Sequence, residues 1–399
     1  MTPRQLAPWV LAAAAAALTG CGGGGTTVTD TAGATPPTGG GATFTPGNWT
    51  WELPSGFAVP KVPEGNPMSA AKVDLGRFLF YDKRLSGNGT QSCASCHHQD
   101  KAFTDGKAVA VGATGQFHSR GAQGLANVAY NATLTWVNPS LVTLEKQMEV
   151  PLFSEDPVEM GVNDGNQAAV LARIATEPLY PPKFAAAFPG ETPAPTWGQV
   201  IQAIAAFQRT LISGNSRYDQ YVQGKATLTP AETRGLNLFM GEKAECFHCH
   251  GSFNFNDQVV HAASRVVELP FHNTGLYNIG GTGNFPEGNQ GLFEFTAKAT
   301  DRGLFRAQSL RNVALTAPYM HDGSIATLEA VLDFYAAGGR HTPSGPYAGD
   351  GRAHPNKSDL ITLIDLNAQE RADIVAFLKT LTDHDFITHP KFSNPFPAQ

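Results

Sequence analysis

A pentapeptide pattern that occurs twice constrains this chain more than anything else in it: Cys93-Ala94-Ser95-Cys96-His97 and Cys246-Phe247-His248-Cys249-His250. In a C-x-x-C-H run, two thiols three positions apart can each add to a haem vinyl group, while the adjacent imidazole reaches the iron. The two runs predict two covalently attached c-type haems, held through Cys93, Cys96, Cys246 and Cys249, with His97 and His250 as iron ligands. Paired C-x-x-C motifs also build zinc ribbons, thioredoxin-like redox pairs and ordinary disulfides. None of these explains why His follows the second Cys both times, and no strand-helix pattern of a thioredoxin surrounds either copy.

A chain of 399 residues with 42 % hydrophobic residues can bury substantial cores, and its length suggests two or three domains. The net charge of -6 comes with no basic block or aromatic-basic stripe, so nucleic acid is excluded as a partner. Of five cysteines, four belong to the haem motifs and only Cys21 is left over.

Cys21 closes a segment with one charged residue, Arg4, an apolar run from Ala7 to Leu18 and the ending Leu18-Thr19-Gly20-Cys21. Residues 1–21 resemble a bacterial lipoprotein signal in which Cys21 becomes the lipidated first residue. An ordinary secretory peptide cleaved nearby is the alternative, and the apolar run is shorter than the roughly 20 residues that span a bilayer. Either route exports the chain, as thioether attachment of haem requires in bacteria, and Gly22 after the Cys matches outer-membrane sorting. The expected location is the periplasm, with the lipid anchor as the one membrane contact. Residues 22–48 are Gly, Thr, Pro and Ala with almost no large apolar side chain, and read as a flexible tether.

The folded part repeats itself. Leu75-Gly76-Arg77-Phe78-Leu79-Phe80 precedes the first haem motif and Gly235-Leu236-Asn237-Leu238-Phe239 the second. After the histidines come Phe103-Thr104-Asp105 and Phe255-Asn256-Asp257. Helical signals dominate. Thr229-Pro230-Ala231-Glu232 is a capping box opening a helix toward Cys246, and Asn367-x-x-Glu370 opens another, with Ile374, Phe377, Leu378 and Leu381 at helical spacing. Val200, Ile204, Phe207 and Leu211 predict a helix over 197–213. The Gly- and Pro-rich stretches 106–124 and 262–300 read as long loops that wrap haem edges. The expected fold is mainly α: two cytochrome c-like haem domains with long loops, 49–213 and 214–399, related as a pseudo-repeat.

This layout resembles the bacterial di-haem cytochrome c peroxidase and MauG superfamily from about Pro67 to Thr382. The resemblance rests on Leu75-Gly76-x-x-Leu79-Phe80-Tyr81-Asp82-x-Arg84-Leu85-Ser86, on Pro157-Val158-Glu159-Met160, and on Ser309 to Gly323 with its Pro318-Tyr319-Met320-His321-Asp322-Gly323 ending. Phe271-His272-Asn273-Thr274-Gly275-Leu276-Tyr277-Asn278 and Phe334-Tyr335-Ala336-Ala337-Gly338-Gly339-Arg340 look like the MbnH branch, whose members oxidise a tryptophan to kynurenine on a small copper-binding partner, MbnP.

The resemblance implies roles. The N-terminal haem meets peroxide and the C-terminal haem is six-coordinate. Tyr335, fourteen residues after His321, stands where conventional peroxidases carry an axial Met, and matches the MauG and MbnH pattern. A phenolate donor stabilises oxidised iron, whereas a thioether raises its potential. Read from spacing alone, Tyr335 joins Leu328, Val331 and Leu332 in a helical stripe that packs, and Met320 and Met240 are competing axial candidates. Glu159 matches the distal carboxylate that moves the proton during O–O cleavage. Gln147 and Pro151 are its expected neighbours. Trp136 aligns with the tryptophan placed between the haems. Thr316 and Pro318 match carbonyl ligands of an inter-domain calcium, but the family's Asn is Gly121 here. His118 lies in the loop where conventional peroxidases carry an iron-capping His. It reads first as facing solvent or a propionate and second as a ligand.

The activity implied is oxidation by hydrogen peroxide through a bis-Fe(IV) state, with Glu159 assisting cleavage and Trp136 spreading the oxidising equivalents to the haem of His250 and Tyr335. The substrate is then a tryptophan on a small exported copper-binding, MbnP-like protein. The alternatives are a conventional peroxidase fed by a small cytochrome or cupredoxin, and a non-catalytic electron carrier.

Overall fold

The computed structural model describes residues 49–191, 194–361 and 364–397. The signal, Cys21 and the tether lie outside the described residues. The described residues form one compact unit. Among the described residues, no helix is long and apolar enough to cross a membrane.

Twelve α-helices occur among the described residues: α1 (Ala70–Tyr81), α2 (Leu144–Phe153), α3 (Gln167–Thr176), α4 (Tyr180–Ala187), α5 (Trp197–Arg209), α6 (Arg217–Val222), α7 (Pro230–Phe239), α8 (Phe247–His250), α9 (Phe293–Thr296), α10 (Leu328–Ala336), α11 (Ala368–Lys379) and α12 (His384–Thr388). One small antiparallel ladder pairs β1 (His341–Thr342) with β2 (Gly349–Asp350), His341 opposite Asp350. The mainly α class expected from the sequence is the class observed.

Caps start the helices where the sequence places them. Thr229 accepts from the Glu232 N–H while Glu232 reaches back to Thr229, and Asn367 and Glu370 do the same for α11. Helix α5 ends at Arg209, short of 213. There the Thr210 hydroxyl bonds the Phe207 carbonyl and the chain turns to bring Ser213 to Asn127.

Two helix pairs built alike carry the repeat. Helix α1 packs on α5 and α7 on α11. A Cβ on Gly76 would lie 1.9 Å from the Ala203 carbonyl oxygen, and one on Gly235 would lie 1.9 Å from that of Asp373. Only glycine lets these backbones approach so closely. One turn on, Phe80 meets Phe207 with ring centroids 5.3 Å apart, and Phe239 meets Phe377 at 5.2 Å. All four rings are fully buried, each contributing roughly 1.5–3 kcal/mol by leaving water. The first core takes in α1 to α5, the second α7, α10 and α11. Phe386 and Phe392, from the chain's far end, pack into the first core. Ser213, Gly214 and Asn215 all donate to the buried carboxylate of Asp383, which fixes that return.

Candidate functional site: two haem-attachment sites and the ground between them

Each histidine of the C-x-x-C-H runs is held by the same local device. The His97 and His250 N–H groups bond the Cys93 and Cys246 carbonyls, both at 3.0 Å, which wraps each motif into a turn. Next, Phe103 (φ 64°) and Phe255 (φ 52°) adopt left-handed backbone conformations. That is costly for a bulky residue and marks a functional constraint. The Phe103 carbonyl accepts from His97 Nδ1 at 2.7 Å, and the Phe255 carbonyl from His250 Nδ1 at 2.8 Å. Committing Nδ1 to a carbonyl fixes the tautomer that leaves Nε2 for a metal. Burial holds both imidazoles neutral, below the ordinary histidine value.

The donor chemistry fits haem c and does not fit the alternatives. The four cysteines form no disulfide, and burial pushes the thiols of Cys93 and Cys246 up to about 12. A zinc ribbon needs four converging thiolates, whereas these pairs border separate apolar cores as protonated thiols. A neutral thiol beside a neutral imidazole with Nε2 available is the arrangement thioether attachment requires. Once bound, the haems would be held by Cys93, Cys96 and His97 and by Cys246, Cys249 and His250.

Beyond the first motif, two loops meet. Helix α2 contains Pro151, whose missing N–H leaves the Gln147 carbonyl without its helical donor. Past the helix end, Met160 N–H bonds the Pro151 carbonyl at 2.9 Å, which folds Glu159 back toward the first motif. Its charge acts on both the Cys93 and Cys96 thiols. Protein atoms crowding the carboxyl push Glu159 up to about 7 by desolvation. Its side chain nevertheless keeps 38 % exposure, so the push is weaker wherever water reaches the carboxylate. Gln147 is half-buried on α2, and none of the described hydrogen bonds joins it to Glu159.

His118 is neither solvent-facing nor apart from this site. Its side chain is 12 % exposed and Nδ1 lies 3.8 Å from Glu159 Oε1, with Nε2 buried and without a protein partner. The loop holding it is pinned by His118 N–H to Ala110 O at 2.9 Å and by Ala113 N–H to Glu159 O at 2.7 Å. Burial lowers its pKa below the usual value.

An apolar cavity in the second half brings together Cys246, Cys249, His250, Tyr335, Trp136, Thr316 and Pro318, and reaches Thr104 and Asp105 of the loop after His97. Tyr335 enters from α10. Desolvation, then the Cys249 and Cys246 thiols, raise its phenol above the ordinary value, so the protein alone favours the neutral phenol. Met240 is 36 % exposed, which removes it as an axial candidate, while Met320 lines the cavity with Tyr335. Trp136 donates Nε1–H to the Gly121 carbonyl at 3.1 Å and lies edge-on to His321, which stacks on Phe305 at 3.8 Å.

That hydrogen bond bears on calcium. Gly121 offers no side chain and its carbonyl already accepts the indole N–H, so Thr316 and Pro318 are left as two carbonyl donors. A calcium ion takes six to eight oxygens, usually with carboxylates. These carbonyls supply fewer oxygens than a calcium ion takes, and water would have to complete its shell.

Known proteins agree with this geometry. The family model for di-haem cytochrome c peroxidase matches residues 70–227. A cytochrome c peroxidase of Denitromonas iodatirespirans is 35 % identical over 82 % of this chain and 86 % of its own. The methylamine utilization protein MauG of Methylorubrum extorquens is 34 % identical over 80 % of each chain. The chain belongs to the di-haem cytochrome c peroxidase and MauG family. Among solved structures, a MauG-like protein associated with microbial copper homeostasis has a TM-score of 0.86 and 58 % identity, covering 87 % of this chain and 99 % of its own. The di-haem peroxidase BthA of Burkholderia thailandensis has a TM-score of 0.63 at 25 % identity, over 84 % and 95 %. As in that family, this chain is an oxidoreductase that carries two c-type haems.

Sequence reading missed three groups. His272 bonds Asp257, which together with Cys249 outweighs the effect of burial and pushes the imidazole up to about 10. Once Cys249 is a thioether its share of that push is gone. Gln123 and Gln308 are related through Ala122-Gln123-Gly124-Leu125-Ala126-Asn127-Val128-Ala129 and Ala307-Gln308-Ser309-Leu310-Arg311-Asn312-Val313-Ala314. That second repeat was legible, and it marks the third group, Arg306, one residue ahead of it.

Proposed function

We propose that this protein uses hydrogen peroxide to oxidise a tryptophan, to kynurenine, on a small exported copper-binding protein of the MbnP kind. One observation carries the reading: the group that α10 points into the Cys246–Cys249–His250 cavity is the phenol of Tyr335 and not a thioether. The likeness to a MauG-like protein associated with microbial copper homeostasis supports it.

Once bound, the haems would supply the redox chemistry, and because opening a tryptophan to kynurenine removes four electrons, each conversion would consume two molecules of peroxide. The chain's residues set where this happens. Glu159, poised near neutrality, is the group that takes a proton from one peroxide oxygen and returns it to the other. His118 lies beside that carboxyl, with Nδ1 3.8 Å from Oε1. Trp136, its indole oriented by the Gly121 carbonyl, is the group that would carry oxidising equivalents from one haem to the other. Export through the leader that ends at Cys21, to the periplasmic face of the outer membrane, would place enzyme and partner together.

The test is to mix the fully oxidised protein with the candidate partner, add at least two equivalents of peroxide per partner and map its tryptophans by mass spectrometry. Conversion of one tryptophan to kynurenine, lost in Tyr335→Met, is the expected result. The 35 % identity to a cytochrome c peroxidase favours a second reading, reduction of peroxide to water with electrons from a small cytochrome or cupredoxin. It replaces the first if the oxidised protein is inert and reacts only after one haem is reduced.

A further inference from the structure

Residues related by the repeat mostly serve separate halves, yet one such pair touches. Gln308 Nε2 donates to Gln123 Oε1 at 2.8 Å. Arg306 binds both: Nη2 donates to Gln123 Oε1 at 2.6 Å and to Gln308 Oε1 at 2.8 Å. Its Nε donates to the Thr135 carbonyl at 3.1 Å, and its backbone N–H to the Trp136 carbonyl at 3.0 Å. In the repeat Arg306 occupies the place of Gly121, whose carbonyl accepts the Trp136 indole N–H. Trp136 is therefore gripped by equivalent positions of the two halves, once at its ring and once at its backbone.

Arg306 is 3 % exposed, and the described ion pairs give it no carboxylate. All its contacts are to neutral oxygens, and Nη1 is buried without a partner. Burial pulls the guanidinium down to about 10, against the pull of Asp257. A buried cation with an idle N–H calls for an anion. Arg306 lines the cavity that holds Cys249 and His250, and the group the site is built to take carries propionate carboxylates, which a guanidinium N–H binds by a charge-assisted hydrogen bond.

We propose that Arg306 is a positioning residue whose free Nη1 takes a haem propionate while its Nε and backbone N–H fix Thr135 and Trp136, so that seating the haem and setting the indole are one event. The proposal concerns the chain and its haems only and stands whatever protein is oxidised.

Arg306→Gln and Arg306→Lys would be compared with wild type as haem-loaded protein, by resonance Raman in the propionate bending region and by spectroelectrochemical titration. In Arg306→Gln the propionate mode shifts and the midpoint potential of at least one haem falls, because a nearby positive charge favours reduced iron. Arg306→Lys restores the potential, since it keeps the charge, but leaves the propionate mode shifted, since a single ammonium cannot hold Thr135 and the glutamines and still place an N–H where Nη1 lies. A loaded Arg306→Gln protein with wild-type propionate modes and potentials overturns the proposal. If Arg306→Gln does not take up haem, the Lys variant decides: a shifted propionate mode supports the contact and an unmoved one overturns it.

Discussion

In the first half, the groups beyond the haem-binding motif come from two loops: Glu159 from the segment after α2, and His118 from the loop that packs against it. In the second half the corresponding space is met by Tyr335, presented by helix α10 and packed against two hydrophobic clusters. The histidine side of both sites is the same to within a tenth of an ångström in its Nδ1 contacts. The repeat has thus kept the side that holds a haem and has let the other side diverge. A ligand gains from a rigid element, because its geometry is then set by packing. A group that must meet a small diffusing substrate belongs on loops, where the approach stays open.

Breaking each half at its distinguishing residue should give unlike results, and these are the largest effects expected. Glu159→Gln, which keeps the shape and removes the titrating group, should slow the reaction with peroxide by about 10²–10⁴-fold, with both haems still attached. Stopped-flow absorbance measures it, and a wild-type rate would remove Glu159 from the chemistry. Tyr335→Met should leave haem attachment intact, raise the potential of the second haem and abolish the response of the oxidised protein to peroxide. An unchanged potential would mean that Tyr335 only packs.

Where the halves are alike, matched variants should fail alike. Ala exceeds Gly by up to about 1 kcal/mol in an exposed helix interior, so Gly→Ala in α1 or α7 would ordinarily stabilise. Here the new Cβ meets a backbone carbonyl at 1.9 Å in both places, and overpacking of that kind costs about 1–3 kcal/mol or more. Gly76→Ala and Gly235→Ala should both lower the urea midpoint of the haem-loaded protein. A rise in either would show that the helices separate freely there, and a large inequality would show that one half is the more compliant.

Much of this molecule could be read before it was seen. The C-x-x-C-H runs, the capping boxes at Thr229 and Asn367 and the spacing of Val200, Ile204 and Phe207 are local signals, and local physics decides them. Tyr335 entered through family resemblance, since its helical stripe by itself predicts packing. The place of His118 beside Glu159 was out of reach, because its loop is fixed by contacts to Ala110, Glu159 and His321 that leave no periodic trace. Arg306 was hidden for another reason. A lone arginine reads as surface, and only the fold reveals that its charge is buried among carbonyls and amides.

The smallest effect tests whether His118 belongs to the peroxide site or merely borders it. Desolvation pushes Glu159 up to about 7 and lowers His118 below its ordinary value, so burial favours the neutral form of each. Because the folded pKa of Glu159 is raised, the fold favours its protonated form. The associated stabilisation is complete below the unfolded value near 4.5 and is lost as pH rises through about 7. The base form needed for proton abstraction is gained over the same interval, so the peroxide rate should climb through about pH 7 and then level, and Glu159→Gln should flatten the curve. His118→Gln removes the imidazole 3.8 Å away and should move the midpoint of that climb by less than about one pH unit, a few-fold in rate at fixed pH. If His118 instead capped the first iron, the same variant would convert its resting spectrum from low to high spin. An unmoved midpoint with an unmoved spectrum would make His118 a packing residue and leave Glu159 as the sole titrating group of the first site.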